Sequence, residues 1–331
     1  MIIGVSGYGA TGASAVLDLL KEFDGVQVVD DFEFQLFQQP DGLLDLEYHL
    51  VKSKGRIRCN AAITRFKKNI KSRRTIKIAK ATKGEYYKLT NMYIESLIDL
   101  KWKGFSSYDS NDLKIFDDSE FLVLANRILY KAFKYLKIKR AFPISAERYF
   151  SIQNQEFYDK TKDYINNILI SLNCDLNKKI VLDQLFSATN PTEGFQFFTE
   201  AKAIIVDRDP RDLYIYTNII RPEHNRYMPN NSVYAFVKYY KLLHLNFKEN
   251  FDNANVLYIR FEDLIYDYTK TVKTIADFLG LKSHTNPIKY FNPEVSINNT
   301  QTYKEFNELH HEISYIESEL KEWTYDFESR K

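Results

Sequence analysis

The sequence has only two cysteines in 331 residues, Cys59 and Cys174. So distant a pair makes neither a disulfide framework nor a metal site, and a reducing compartment is the default. It also lacks a charge excess: 46 Lys+Arg against 44 Asp+Glu leave a net charge of +2. That argues against a protein that coats nucleic acid through bulk charge. No apolar run approaches the ~20 residues of a membrane span. No signal peptide is expected, since a strand-like run begins at Ile2. A soluble, cytoplasmic protein is expected. Internal repeats and low-complexity linkers are absent too. What is present is 44% hydrophobic and 15% aromatic, enough for a sizeable core in one large domain or two.

The first turn organises the rest. Ile2, Ile3 and Val5 read as a strand, Gly7, Gly9 and Gly12 as a loop, and Ala15, Val16, Leu19 and Leu20 as a helix stripe. In such a unit the loop amides and the helix N-terminus favour an anion at one spot. Gly7-Tyr8-Gly9-Ala10-Thr11-Gly12 is a complete dinucleotide pattern. The next strand, Val26 to Val29, ends in Asp30 and Asp31, where a dinucleotide site holds a ribose. Gly7, Gly12, Ala13 and Ser14 also have nucleoside-triphosphate-loop spacing, with Ala13 in the place of the phosphate-binding lysine. A ligand-free glycine turn is the plain alternative.

Asp30, Asp31 and Glu33 lie past the end of the second strand, at the ligand side of a parallel sheet. They are the first candidates for a general base, and a turn cap or a solvated acid is the plainer role. His49, in a leucine-rich stripe, is a weaker candidate. Residues 56–172 read as a mainly helical insert, with stripes such as Ala62, Ile63, Phe66 and Ile70, or Leu124, Ile128, Leu129 and Phe133. Arg56, Arg58, Arg65, Lys67, Lys68 and Lys71 make its start basic. Such a run is a solvated face or a surface for an anionic acceptor. Tyr86, Tyr87, Tyr93, Trp102, Phe105 and Tyr108 suit stacking on sugar rings or an ordinary core. The insert weakens the dinucleotide reading, since no convincing strand follows until Ile180 to Leu182.

Two later strands end in arginines. Ala203 to Val206 leads into Asp207-Arg208-Asp209-Pro210-Arg211-Asp212. Asp209 fits a helix cap, Pro210 the first turn and Asp212 the capping-box position. None of this explains Arg208, whose fork faces the ligand side for a phosphate, or else pairs with an aspartate. Val256 to Ile259 leads into Arg260-Phe261-Glu262-Asp263-Leu264, then a helix ending Phe278-Leu279-Gly280-Leu281. A polar loop to Thr300 and a closing helix from Tyr303 to Trp323 follow.

These strand ends, with the glycine loop, resemble sulfotransferases that use 3′-phosphoadenosine 5′-phosphosulfate (PAPS). With Asp183-Gln184 and the Pro40–Glu47 stretch, they resemble a bacterial branch linked to surface polysaccharide. The likeness covers roughly 2–51 and 178–300. It implies an α/β, P-loop-type three-layer fold, with a central parallel sheet of about five strands and a large helical insert, in one domain spanning 1–331. It implies that Gly7, Gly9, Ala10, Thr11, Gly12, Ala13 and Ser14 cradle the 5′-phosphosulfate and that Arg208 holds the 3′-phosphate. Tyr216 stands where the family has a serine, Asn299 falls in the closing loop, and Arg260 and Glu262 brace the fold. Ala10 stands where the family has a basic residue. Arg65 from the insert could supply that charge, or the loop amides and helix dipole could serve instead. The implied reaction is in-line sulfuryl transfer from PAPS to a hydroxyl, on a carbohydrate, with Glu33 or Asp31 as base, PAP as product and no metal. Nucleic acid and a membrane span are not expected, and a homo-oligomer is compatible. The rivals are an NAD(P)-dependent oxidoreductase, which requires a continuous six-stranded sheet, and a PAP-binding module without transfer activity.

Overall fold

The computed structural model describes residues 1–104, 119–139, 146–224, 228, 229, 232–245 and 253–328. Phe105 and Tyr108 lie outside them. The chain divides into two compact units, Met1–Gln39 with Leu169–Lys331, and Pro40–Ile168.

The first unit holds a five-stranded parallel sheet: β1 (Ile2–Gly7), β2 (Val26–Val29), β5 (Lys179–Asp183), β6 (Ala201–Asp207) and β7 (Val256–Arg260), in the order β2-β5-β1-β6-β7. β1 is central: Val5 stands beside Asp183 on one side and Ile204 on the other. Consecutive residues of β1 and β6 are buried. Side chains alternate between faces along a strand, so both faces of the sheet are covered, as in a layered α/β fold. On one face Ile3, Val5, Val181, Ile204, Val206 and Ile259 pack with α1 (Ala13–Leu20) and its neighbours. Helices α2 (Pro210–Ile215), α3 (Val233–Leu243) and α5 (His310–Glu319) build a second core around Leu213, Phe236, Tyr240 and Ile316. Between α3 and α5, α4 (Tyr268–Leu279) ends at Gly280, whose left-handed φ of 61° makes the expected stop.

The order of strands decides between two loop patterns. Numbered along the chain within this sheet it is second-third-first-fourth-fifth. A dinucleotide fold places the second strand beside the first. Here β5 separates them, so β2 lies roughly 10 Å from β1 at the usual strand spacing.

The second unit carries helices over Arg56–Asn69, Ile76–Ala81, Glu85–Leu97 and Ser119–Tyr135. Two expectations change here. A two-stranded antiparallel sheet pairs β3 (Leu100–Gly104) with β4 (Ala146–Phe150), so the insert is not purely helical. β3 hides because four of its five residues are exposed, leaving no apolar run to read. The stripe of Leu124, Ile128 and Leu129 is not a core face, since these residues are 53%, 59% and 36% exposed. Among the described residues no helix is long and apolar enough to cross a membrane.

Candidate functional site

β1 delivers the chain into the glycine loop at the carboxyl edge of the sheet. Ala10 takes a left-handed φ of 56°, and Gly12 caps α1 at φ 95°. A Cβ on Gly12 would stand 2.4 Å from Cδ2 of Phe261. Gly12→Ala is therefore expected to cost about 2 kcal/mol or more, from backbone strain plus overpacking. A lower urea midpoint checks this. Thr11 is buried, and its hydroxyl donates to the Val206 carbonyl at 2.6 Å. That bond ties the loop to β6 and commits the hydroxyl hydrogen to the fold. Ser14 is exposed and Ala13 buried.

Arg208 follows β6, is 4% exposed, and turns towards the loop. Its Nη1 lies 3.4 Å from the Ala10 carbonyl, and its Nη2 donates to the Asn299 carbonyl. The guanidinium lies over the rings of Tyr216 and Phe261, at 5.2 and 5.4 Å from their centres. Its Nε is buried without a hydrogen-bond partner among the described residues. Two carbonyls and two rings leave the positive charge unneutralised by these contacts. The Arg–Asp pairing considered for it goes to Arg211 instead, whose Nη2 is 2.6 Å from Asp209.

These groups meet in a cavity of about 470 Å³, lined by Ala10, Gly12, Ser14, Ala15, Asp18, Arg208, Tyr216, Phe261, Tyr290, Phe291, Asn292, Val295, Ser296 and Asn299. Six of the expected cofactor residues are therefore brought together. Gly7, Gly9, Thr11 and Ala13 shape the loop without lining the cavity. An orphaned guanidinium N–H, loop amides and a helix N-terminus suit a phosphate there.

Behind the loop, Asp207 accepts from the Arg208 amide at 2.8 Å and from the Tyr240 hydroxyl. Burial opposes its charge, yet the His244 hydrogen bond and the Arg260 guanidinium hold it below the usual carboxylate range. Glu262 accepts from the Asp209 amide at 2.8 Å, and burial pushes its carboxyl up to about 7. Asp209 caps α2 by accepting from the Arg211 amide. Asp212 does not close the expected capping box, because its oxygens accept from Gln301, Thr302 and Tyr303. The closing helix is confined to His310–Glu319, with short 3₁₀ turns over Thr302–Glu305, Asn307–Leu309 and Lys321–Trp323 on either side.

The candidate acids lie elsewhere. Asp31 and Glu33 are exposed, Glu33 accepts from Gln35, and Asp30 pairs with Lys21. None of them lines the cavity. Arg65 belongs to the second unit, where its fork holds Asp41 at 2.6 Å and Asp45 at 2.8 Å. The cation brought to Ala10 is Arg208.

One acid was not singled out from the sequence. Asp183 ends β5, the strand next to β1, and is half-buried. Burial, then the charges of Glu33 and Asp30, push its carboxyl up to about 7. The available signal was an acid ending an apolar strand, as at Asp30. Only the strand order distinguishes the two.

A sulfotransferase domain family model matches residues 184–324. Three solved structures are similar over nearly the whole chain. The sulfotransferase domain of the Synechococcus PCC 7002 olefin synthase is 12% identical, over 98% of this chain and 95% of that one, with a TM-score of 0.45. The sulfotransferase domain from the curacin biosynthetic pathway is 13% identical, over 97% of each, with a TM-score of 0.37. Retinol dehydratase, in complex with androsterone and inactive cofactor PAP, is 15% identical, over 99% of this chain and 83% of that one, with a TM-score of 0.37. No curated protein matches.

Proposed function

We propose that this protein is a sulfotransferase moving a sulfuryl group from PAPS to a hydroxyl acceptor. The observation that carries the reading is the convergence of the glycine loop, Arg208 and the 290–299 segment on one cavity, with a buried Arg208 Nε–H that no atom of the described residues accepts. The domain match over 184–324 contains Arg208, Arg260 and Glu262 and supports the same reading.

PAPS supplies an activated sulfuryl group whose departure leaves negative charge on the phosphate. The loop amides and the N-terminus of α1 meet the 5′-phosphosulfate, and Arg208 meets the 3′-phosphate against Tyr216 and Asn299. Its reach to Ala10 also puts a positive charge beside the loop, where the family has a basic residue. Asp183 is our choice of base because it stands on the strand beside β1, with Glu33 near it, although like Glu33 it lies outside the cavity lining. The acceptor is proposed as a carbohydrate on the resemblance to the surface-polysaccharide branch. A cytoplasmic place of action accords with two free cysteines.

Calorimetry with PAP, NAD and ATP tests the reading. PAP is expected to bind and the other two to give no heat. Tight NAD binding without PAP binding overturns it, although the strand order and the Asp30–Lys21 pair already disfavour NAD. If PAP binds while labelled sulfate reaches no acceptor, the protein is a nucleotide-binding module.

A further inference from the structure

The cavity wall between Tyr290 and Asn299 hangs between two buried carboxylates. Glu22, just past α1, has no exposed surface. Its Oε1 accepts from the amides of Tyr290 and Phe291 at 2.8 and 2.9 Å. Its Oε2 accepts from the Ile288 amide at 3.2 Å and lies 2.6 Å from His284 Nε2. At the other end Asp212, equally buried in α2, accepts from the Gln301 amide at 2.7 Å, the Thr302 hydroxyl at 2.9 Å and the Tyr303 amide at 3.2 Å.

Between these anchors the chain makes only a four-residue helix and a three-residue turn. So little regular structure does not hold a wall by itself, whereas hydrogen bonds to an ionised acceptor are roughly twice as strong as neutral ones. The anchors sit on or just past the helices that border the proposed phosphate cradle. α1 begins at the glycine loop, and α2 begins two residues after Arg208. Neither acid lines the cavity.

We propose that Glu22 and Asp212 are positioning residues that strap the 290–299 segment across the nucleotide site, so that the nucleoside end of the donor is held through two acids outside the cavity. This rests on the nucleotide reading above. Anchoring the wall to α1 and α2 fixes its distance from the phosphate cradle. A ligand with phosphates alone would not need the strap.

The test pairs hydrogen exchange with calorimetry on the full chain, using PAP and inorganic pyrophosphate as probes. Glu22→Ala and Asp212→Ala are each expected to speed exchange within residues 284–303. Each should weaken PAP about tenfold, as expected when buried amides lose their acceptor, and leave pyrophosphate unchanged. Glu22→Gln keeps an acceptor for Tyr290 and Phe291 and should recover most of the loss, which a general loss of stability would not do. Wild-type exchange and wild-type PAP affinity in these variants overturn the strap, as does equal weakening of PAP and pyrophosphate. If the wild-type protein fails to bind PAP, the nucleotide reading falls, and the exchange pattern still decides whether the acids pin the segment. If Asp212→Ala does not fold, Asp212→Asn takes its place, with exchange expected to quicken first at Gln301.

Discussion

Arg208→Ala is expected to weaken PAP binding by on the order of a hundredfold or more, the usual result of removing one partner of a buried, charge-assisted contact. The loss follows from its surroundings: 4% exposed, with two carbonyls and two aromatic rings as its protein partners. Adenosine 5′-phosphosulfate, which has no 3′-phosphate, should lose far less. Equal losses for the two nucleotides would detach Arg208 from the 3′-phosphate and leave its contact with Ala10 as its principal role. Arg208→Lys separates charge from shape. It keeps one positive charge but not the planar fork that reaches Ala10 and Asn299 together, so it should recover only part of the affinity.

The second large effect concerns Asp183. Asp183→Asn is expected to lower the turnover of labelled PAPS by roughly 10²–10⁴-fold, the range for losing a general base. A base must be ionised to accept the acceptor's proton, so wild-type turnover should rise with pH through about 7. The variant's profile should be flat there. Stability should move the opposite way. Folding raises the carboxyl above its ordinary value, mainly by burial and then through Glu33 and Asp30. Between about 4 and 7 the folded protein therefore binds a proton that the unfolded chain does not, so this group lowers stability as pH rises across that window. Asparagine carries no such charge, and the variant should unfold at a higher urea concentration than wild type at pH 8. Lower activity with higher stability marks a group held in a strained state for chemistry. A fall in both would assign Asp183 to the fold, with Glu33 or Asp31 next to test.

The elements beside the loop were legible because their signals are local. The Ile2–Val5 run, three glycines and the α1 stripe occupy one short stretch, and the two arginine-bearing strand ends each carry their own turn chemistry. The placement of β5 was not legible, because inserting it between β1 and β2 depends on pairing across some 150–180 residues. That one pairing moves Asp30 away from the loop and brings Asp183 to it. The roles of Glu22 and Asp212 were hidden for a similar reason. One is a lone acid after a helix. The other matches a capping box, yet its hydrogen bonds go to residues 89 to 91 positions on. Leu124, Ile128 and Leu129 show the converse error, a clear helical period on a face that is exposed.

The central place of β1 also bears on how the protein is made. Its strand neighbours are β5 and β6, so β1 stays without a sheet partner until Asp183 has emerged, and without its second neighbour until Asp207. At ~5–20 residues per second that is a wait of roughly 9–36 s for some 180 residues before the first partner. The continuous unit, Pro40–Ile168, is completed within that interval, whereas the discontinuous one must recover its N-terminal strand afterwards. The same apolar run that makes β1 a core strand is therefore a segment in need of protection on the ribosome, and nascent chains stopped before β5 are the ones expected to recruit a chaperone.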